Sequence, residues 1–127
     1  MVRILSLLSK KQNLYLVTLR QSRKNLLSQL KRLNLLKYFK RVLSKSPVLF
    51  NSKNNWKIKM KMISDIANSG DIMVGDTGTD ILCGQGLQMS TVAVTYGINN
   101  QKQLNKFSPD YLINKPTQLM KIINKLS

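Results

Sequence analysis

The run Asp71-Ile72-Met73-Val74-Gly75-Asp76-Thr77-Gly78-Thr79-Asp80 constrains the fold more than any other part of the chain. Ile72-Met73-Val74 leads straight into Gly75-Asp76, and a capping-type sequence, Thr77-Gly78-Thr79-Asp80, opens the apolar segment Ile81-Leu82-Cys83. Apolar residues bounded by turn residues predict a fully buried parallel strand over 71–75, with a helix starting near Thr79 and packing back on it. Open α/β sheets bind ligands at the carboxyl ends of their strands. Asp76 is placed on that edge, and Asp80, one helical turn later, faces the same side. Two carboxylates held there suit a hard cation such as Mg²⁺, which takes oxygen ligands and shares them with phosphate.

The rest of the chain alternates between helical and strand patterns. Helices are expected over 2–11, where Ile4, Leu5, Leu7 and Leu8 share a face, and over 23–36 behind a Ser22 N-cap, where Leu26, Leu27, Leu30, Leu33 and Leu36 keep helical spacing. A third runs over 58–68 with Gly70 as its stop, residues 101–106 form a helical turn, and an amphipathic tail helix is built on Leu119, Met120, Ile122, Ile123 and Leu126. Strands are expected over 14–19 (ending at Thr18), 41–44, 71–75, 90–95 with a turn at Tyr96-Gly97, and 111–113 as an edge strand stopped by Pro116. Residues 45–55, with Pro47, read as a polar connection. Helix and strand in alternation point to a parallel α/β sheet. With 127 residues, the chain is expected to form a single domain over 1–127.

Charge is unevenly spread. The net charge is +16, but residues 1–61 hold sixteen Lys/Arg and no acid, while residues 62–127 hold five of each sign. The alternative this raises is a basic nucleic-acid-binding module using the acid-free half. Against it, many of these cations flank the apolar face of the 23–36 helix as a solvated surface does. Aromatic residues for base stacking are only 6%, and no nucleic-acid motif is present. All five acids are Asp, and the absence of His removes His-based acid–base chemistry and His-ligated metals. The single cysteine, Cys83, falls on the apolar side of its helix and reads as a core thiol, in keeping with a reducing, cytoplasmic compartment. No apolar run reaches the roughly 18 residues of a membrane span, and the N-terminal residues are not read as a targeting peptide.

Residues 73–97 resemble the fourth-motif region of the haloacid dehalogenase (HAD)-like hydrolases, close to their phosphoglycolate-phosphatase-type members. The resemblance is carried by Val74-Gly75-Asp76-Thr77, Asp80-Ile81-Leu82, Met89 and Val92-Ala93-Val94-Thr95-Tyr96-Gly97. It continues through Pro109-Asp110-Tyr111-Leu112-Ile113 and Pro116-Thr117-Gln118-Leu119. Leu16-Val17-Thr18 resembles the second motif, in which Thr or Ser closes a strand. It implies a partial Rossmann-like, three-layer α/β/α core, with Thr18 bonded to a phosphate oxygen and Asp76 and Asp80 supporting Mg²⁺. The third motif needs a Lys. Lys59 shares a helix face with Met62/Ile63 and Ile66, whereas Lys57, Lys61, Asp65 and Asn68 point to solvent. Lys59 is therefore preferred with Lys57 in reserve; the structural alternative is that Lys59 only snorkels over the helix end.

The departures from the family pattern matter as much. Its first motif, a strand ending in Asp-x-Asp that supplies the nucleophile, has no counterpart, and the first acid of any kind is Asp65. The resemblance places that strand at the centre of the sheet, between the strands of Thr18 and Asp76. The expectation is thus a truncated or split Mg²⁺-dependent phosphate-monoester phosphatase, inactive alone and without a nucleophile of its own. Its expected partners are a small phosphorylated metabolite and either a complementing N-terminal fragment or a second copy, with neither membrane nor nucleic acid. Gln88 stands where relatives place Gly to end a helix, and a left-handed Gln costs about 1 kcal/mol.

Overall fold

A computed structural model describes residues 2–19, 22–45, 55–95 and 100–126; the expected turn at Tyr96-Gly97 and the stretch around Pro47 lie outside them. The chain divides into two compact units, Met1–Ser52 and Lys53–Ser127. The first contains α1 (Val2–Lys11), β1 (Tyr15–Thr18), α2 (Arg23–Arg32), a 3₁₀ turn (Leu36–Tyr38) and β2 (Arg41–Ser44). The second contains α3 (Asn55–Ile63), β3 (Ile72–Gly75), α4 (Gly78–Gly86), β4 (Ser90–Val94), α5 (Gln101–Asn105), β5 (Tyr111–Ile113) and α6 (Thr117–Leu126). Among the described residues all strand pairing is parallel, as the alternation of helix and strand predicts.

In the first unit β1 pairs with β2 in a register that sets Thr18 beside Ser44. Leu26 and Leu30 of α2 pack on Val42, with Leu16, Leu27, Leu35, Leu36 and Phe39 around them. Ser22 caps α2 as expected, accepting the Asn25 amide at 3.3 Å. The helix stops at Arg32 rather than running to 36, because Asn34 takes a left-handed φ of 59°. The Leu35 amide then bonds the Leu30 carbonyl at 2.9 Å and the Asn34 amide bonds Lys31 at 3.1 Å, a Schellman closure. Leu35 and Leu36 still reach the core by folding back, while Leu33 is left 51% exposed.

In the second unit the strand order is β3-β4-β5. One face of this sheet carries α4 and α5: Ile81 and Leu104 bury against Ala93, with Phe107 and Leu112 beside them. The other face carries α6, whose Ile122 packs with Val92, Val94 and Ile113 next to Ile72, Tyr111 and Leu119. This is α/β/α layering. A cross-link between loop and strand fixes β4: the Thr91 amide donates to Asp110 Oδ2 at 2.8 Å, and the Asp110 amide donates to Thr91 Oγ1 at 3.0 Å.

Two expectations need correction. β3 is not a fully buried interior strand: it lies at the sheet edge, and Val74 is 39% exposed. Among the described residues its ladder is with β4 alone. The helix expected over 58–68 begins earlier and ends at Ile63. Ser64 turns its hydroxyl to the Lys61 carbonyl, and the Asp71 carboxylate accepts the Asn68 amide, local bonds that favour turns over helix.

Candidate functional site

The carboxyl end of β3 delivers the chain into a tight turn and then into α4. Gly75 is required there by space: a Cβ on it would lie 2.2 Å from both Cβ and Oδ2 of Asp80. Thr77 takes the N-cap position of α4, with extended backbone (φ −132°, ψ 160°), yet its side chain does not cap the helix. Its hydroxyl instead donates to Asp80 Oδ2 at 3.0 Å. The Thr77-Gly78-Thr79-Asp80 run, which reads as a cap in sequence, is thus used to hold a carboxylate.

The second Asp80 oxygen, Oδ1, forms an ion pair with the Lys59 ammonium, side-chain exposures being 9% and 12% respectively. Lys59 arrives from α3, which packs across α4 where Gly86 lets Met60 and the Trp56 ring approach. Lys61 is exposed, as helical phase predicts, while Asp65 and Asn68 are exposed on the turns after the helix ends at Ile63. Lys57 is exposed too, its ammonium 5.6 Å from the centroid of the Trp56 ring. The pairing answers the snorkelling alternative: Lys59 ends on a carboxylate. Both Asp80 oxygens are thus engaged by neighbouring side chains.

Asp76 is half-buried at the strand end, four residues before Asp80. Thr18 belongs to the other compact unit, half-buried at the carboxyl end of β1. Lys59 and Asp80 are therefore brought into contact, Asp76 lies on the turn leading to them, and Thr18 is described within its own unit. Thr77 was not picked out as a functional residue; its spacing of three from Asp80 was the available signal. Ser44 was missed as well. It stands beside Thr18 in register, and its buried Oγ has no hydrogen-bond partner among the described residues.

The donor set can be tested against a divalent cation. Among the described residues no group of three or more His, Cys, Asp or Glu gathers. Mg²⁺ seldom needs such a cage, because it keeps several waters and binds through one or two carboxylates together with phosphate. Asp76 fits that demand as an oxygen ligand, with Asp80 supporting the turn behind it. Cys83, buried on α4, has no place in this chemistry. Burial pushes its thiol from 9.0 up to about 11, the Lys59 ammonium opposing and the Asp80 carboxylate adding to the rise.

Comparison with known proteins places these features. The HAD-hydrolase-like family profile matches residues 53–119. A pyrophosphatase PpaX from Bacillus mycoides is 34% identical over 56 residues, which is 44% of this chain and 26% of that protein. The aligned stretch thus spans about a quarter of the length of that curated relative. A HAD-like hydrolase from Streptococcus pneumoniae superposes with a TM-score of 0.78 at 20% identity, over 96% of this chain and 57% of that one. A HAD phosphatase from Thermococcus onnurineus gives a TM-score of 0.70 at 25% identity, over 96% and 55%.

Proposed function

The chain belongs to the HAD-like hydrolase family, and from that premise we propose that it forms the phosphate- and Mg²⁺-holding part of a phosphate-monoester phosphatase. Asp76 is the carboxylate that would hold Mg²⁺, Lys59 is the cation that would meet a phosphate, Asp80 with Thr77 would position Lys59, and Thr18 is proposed, within its own unit, as a phosphate-bonding hydroxyl. When bound, Mg²⁺ supplies charge neutralisation at the phosphate oxygens. The observation that carries this reading is the Lys59–Asp80 ion pair at the carboxyl end of β3, the edge where α/β sheets bind ligands. A mostly buried Lys directed to that edge by a carboxylate is an anion-recognition device more than a stability device, since such pairs contribute little to stability.

The attacking group is absent from the 127 residues, which contain no Asp-x-Asp. The reading therefore expects the chain alone to lack phosphatase turnover, residues 1–127 acting as one incomplete core domain for a small phosphorylated metabolite. Its setting is cytoplasmic, a proposal that the lone buried thiol supports; among the described residues no helix is long and apolar enough to cross a membrane. Titration with Mg²⁺ and inorganic phosphate, followed by amide shifts, tests the site. Shifts at residues 75–80 and near Lys59, lost in Asp76→Asn, are expected, with a phosphate-dependent shift at Thr18. Unchanged spectra at high Mg²⁺ overturn the reading, as does Mg²⁺-dependent turnover by the pure chain for its inactivity.

A second reading, polyanion binding by the first unit, is favoured by one observation: every described Lys and Arg between residues 3 and 45 is exposed, and no acid lies among them. Binding to single-stranded RNA or duplex DNA that weakens steeply with salt would support it. Absent or salt-independent binding removes it.

A further inference from the structure

The first unit contains a cavity of about 470 Å³ lined by α2, the 3₁₀ turn, and β2 with the residues that lead into it. Its apolar lining comes from Leu27, Leu36 and Phe39, half-buried side chains packed against the core of the unit. Its polar lining is cationic: Arg23 at the start of α2, then Lys40 and Arg41 where β2 begins, all exposed. Arg23 is held in place, because its Nη1 donates to the carbonyl of Val42, the residue that follows Arg41. That bond brings a cation from the helix to the strand that carries the other two. Such a grouping is unfavourable by itself. Like charges gathered around one hollow repel, and no residue of Met1–Ser52 carries an acidic side chain to offset them within the unit. Nor does α2 call for Arg23 where it stands. The first turn of a helix favours acids and the last favours cations, and Lys31 and Arg32 already occupy the last.

We propose that this cavity is a binding site for a small organic phosphate with a flat, apolar body. Phosphate rather than carboxylate follows from charge: Arg23, Lys40 and Arg41 suit a monoester group that carries about −1.5 to −2 at pH 7. A guanidinium fixed by one bond still presents N–H groups in the fork that phosphate oxygens accept in pairs. The apolar body follows from Leu27, Leu36 and Phe39, which form a floor that inorganic phosphate would leave uncovered. A nucleic-acid backbone would likewise use the cations and leave that floor idle. The volume falls within the range of small-ligand pockets, roughly 300–1,000 Å³. The site lies wholly within the first unit and depends on neither the Lys59–Asp80 pair nor a nucleic-acid strand.

Amide shifts of the whole chain, titrated with 1-naphthyl phosphate, inorganic phosphate and 1-naphthol, test the assignment. Naphthyl phosphate is expected to shift Arg23, Leu27 and residues 40–43. It should bind at least about tenfold more tightly than either fragment, since ring burial and charge pairing both contribute. Arg23→Gln and Arg41→Gln, at exposed side chains, are each expected to weaken it at least about fivefold and to leave the rest of the spectrum in place. Absence of shifts at these residues overturns the proposal, as does undiminished affinity in the doubly substituted chain. Inorganic phosphate bound as tightly as the naphthyl ester overturns it too, the cations then being a solvated charged surface. A DNA duplex that displaces the ester at matched phosphate concentration assigns the cations to a polyanion and overturns the small-ligand site. Because the shifts are read at residues 23–43, silence at residues 75–80 counts against the phosphatase reading without touching this one.

Discussion

Asp80 occupies the space that a side chain at Gly75 would need, its Cβ and Oδ2 each 2.2 Å from where a Cβ would stand. The turn that ends β3 and the carboxylate that holds Lys59 are therefore one packing unit. Gly75→Ala is expected to push Asp80 off Lys59 and to destabilise the fold by about 1–3 kcal/mol, the usual penalty of overpacking. Urea denaturation checks the magnitude. An unchanged midpoint would mean that the turn absorbs the methyl group.

The Lys59–Asp80 pair is mostly shielded, so removing one partner leaves a poorly solvated charge. Lys59→Met and Asp80→Asn are each expected to cost about 3 kcal/mol. In a double-mutant cycle the combined variant should fall short of the sum by more than about 1 kcal/mol. Additive losses would show that the two groups do not act together.

Cys83 gives the chain an alkaline sensitivity. Its thiol titrates near 9.0 when unfolded and at about 11 in the fold, so below pH 9 both states hold the proton and the full contribution is present. Above that the unfolded state releases it first, and stability falls until the folded thiol titrates, a loss of at most about 3 kcal/mol. Cys83→Ala should flatten the difference in stability between pH 9 and 11, measured against the parent chain. Alkylation by iodoacetamide at pH 8 should be slow until denaturant is added.

Gln88 ends α4 with φ 58°, its amide bonded to Gln85 at 3.1 Å and the Met89 amide reaching Gly84 at 2.9 Å. Glycine adopts that conformation freely. Gln88→Gly is expected to raise stability by about 1 kcal/mol, read as a higher thermal midpoint.

These particulars show what the chain discloses in one dimension. Strand and helix order, the Ser22 cap, the buried Cys83 and the inward phase of Lys59 follow from local periodicity and turn chemistry, and the left-handed Gln88 from the family resemblance. What was missed depends on partners distant in sequence. Lys59 meets a carboxylate twenty-one residues away, and no spacing rule picks that one out. Helix ends were misplaced at Arg32 and Ile63 because Asn34 and Ser64 offered local bonds that compete with a continuing apolar pattern. β3 reads as interior because its composition is interior, and a missing neighbour beside it was implied by the family resemblance; among the described residues its ladder is with β4 alone.

The exposed Val74 of β3 also bears on how the protein behaves at high concentration. Among the described residues this strand satisfies its ladder on one flank only, and apolar strands of that kind are prone to pair with other chains.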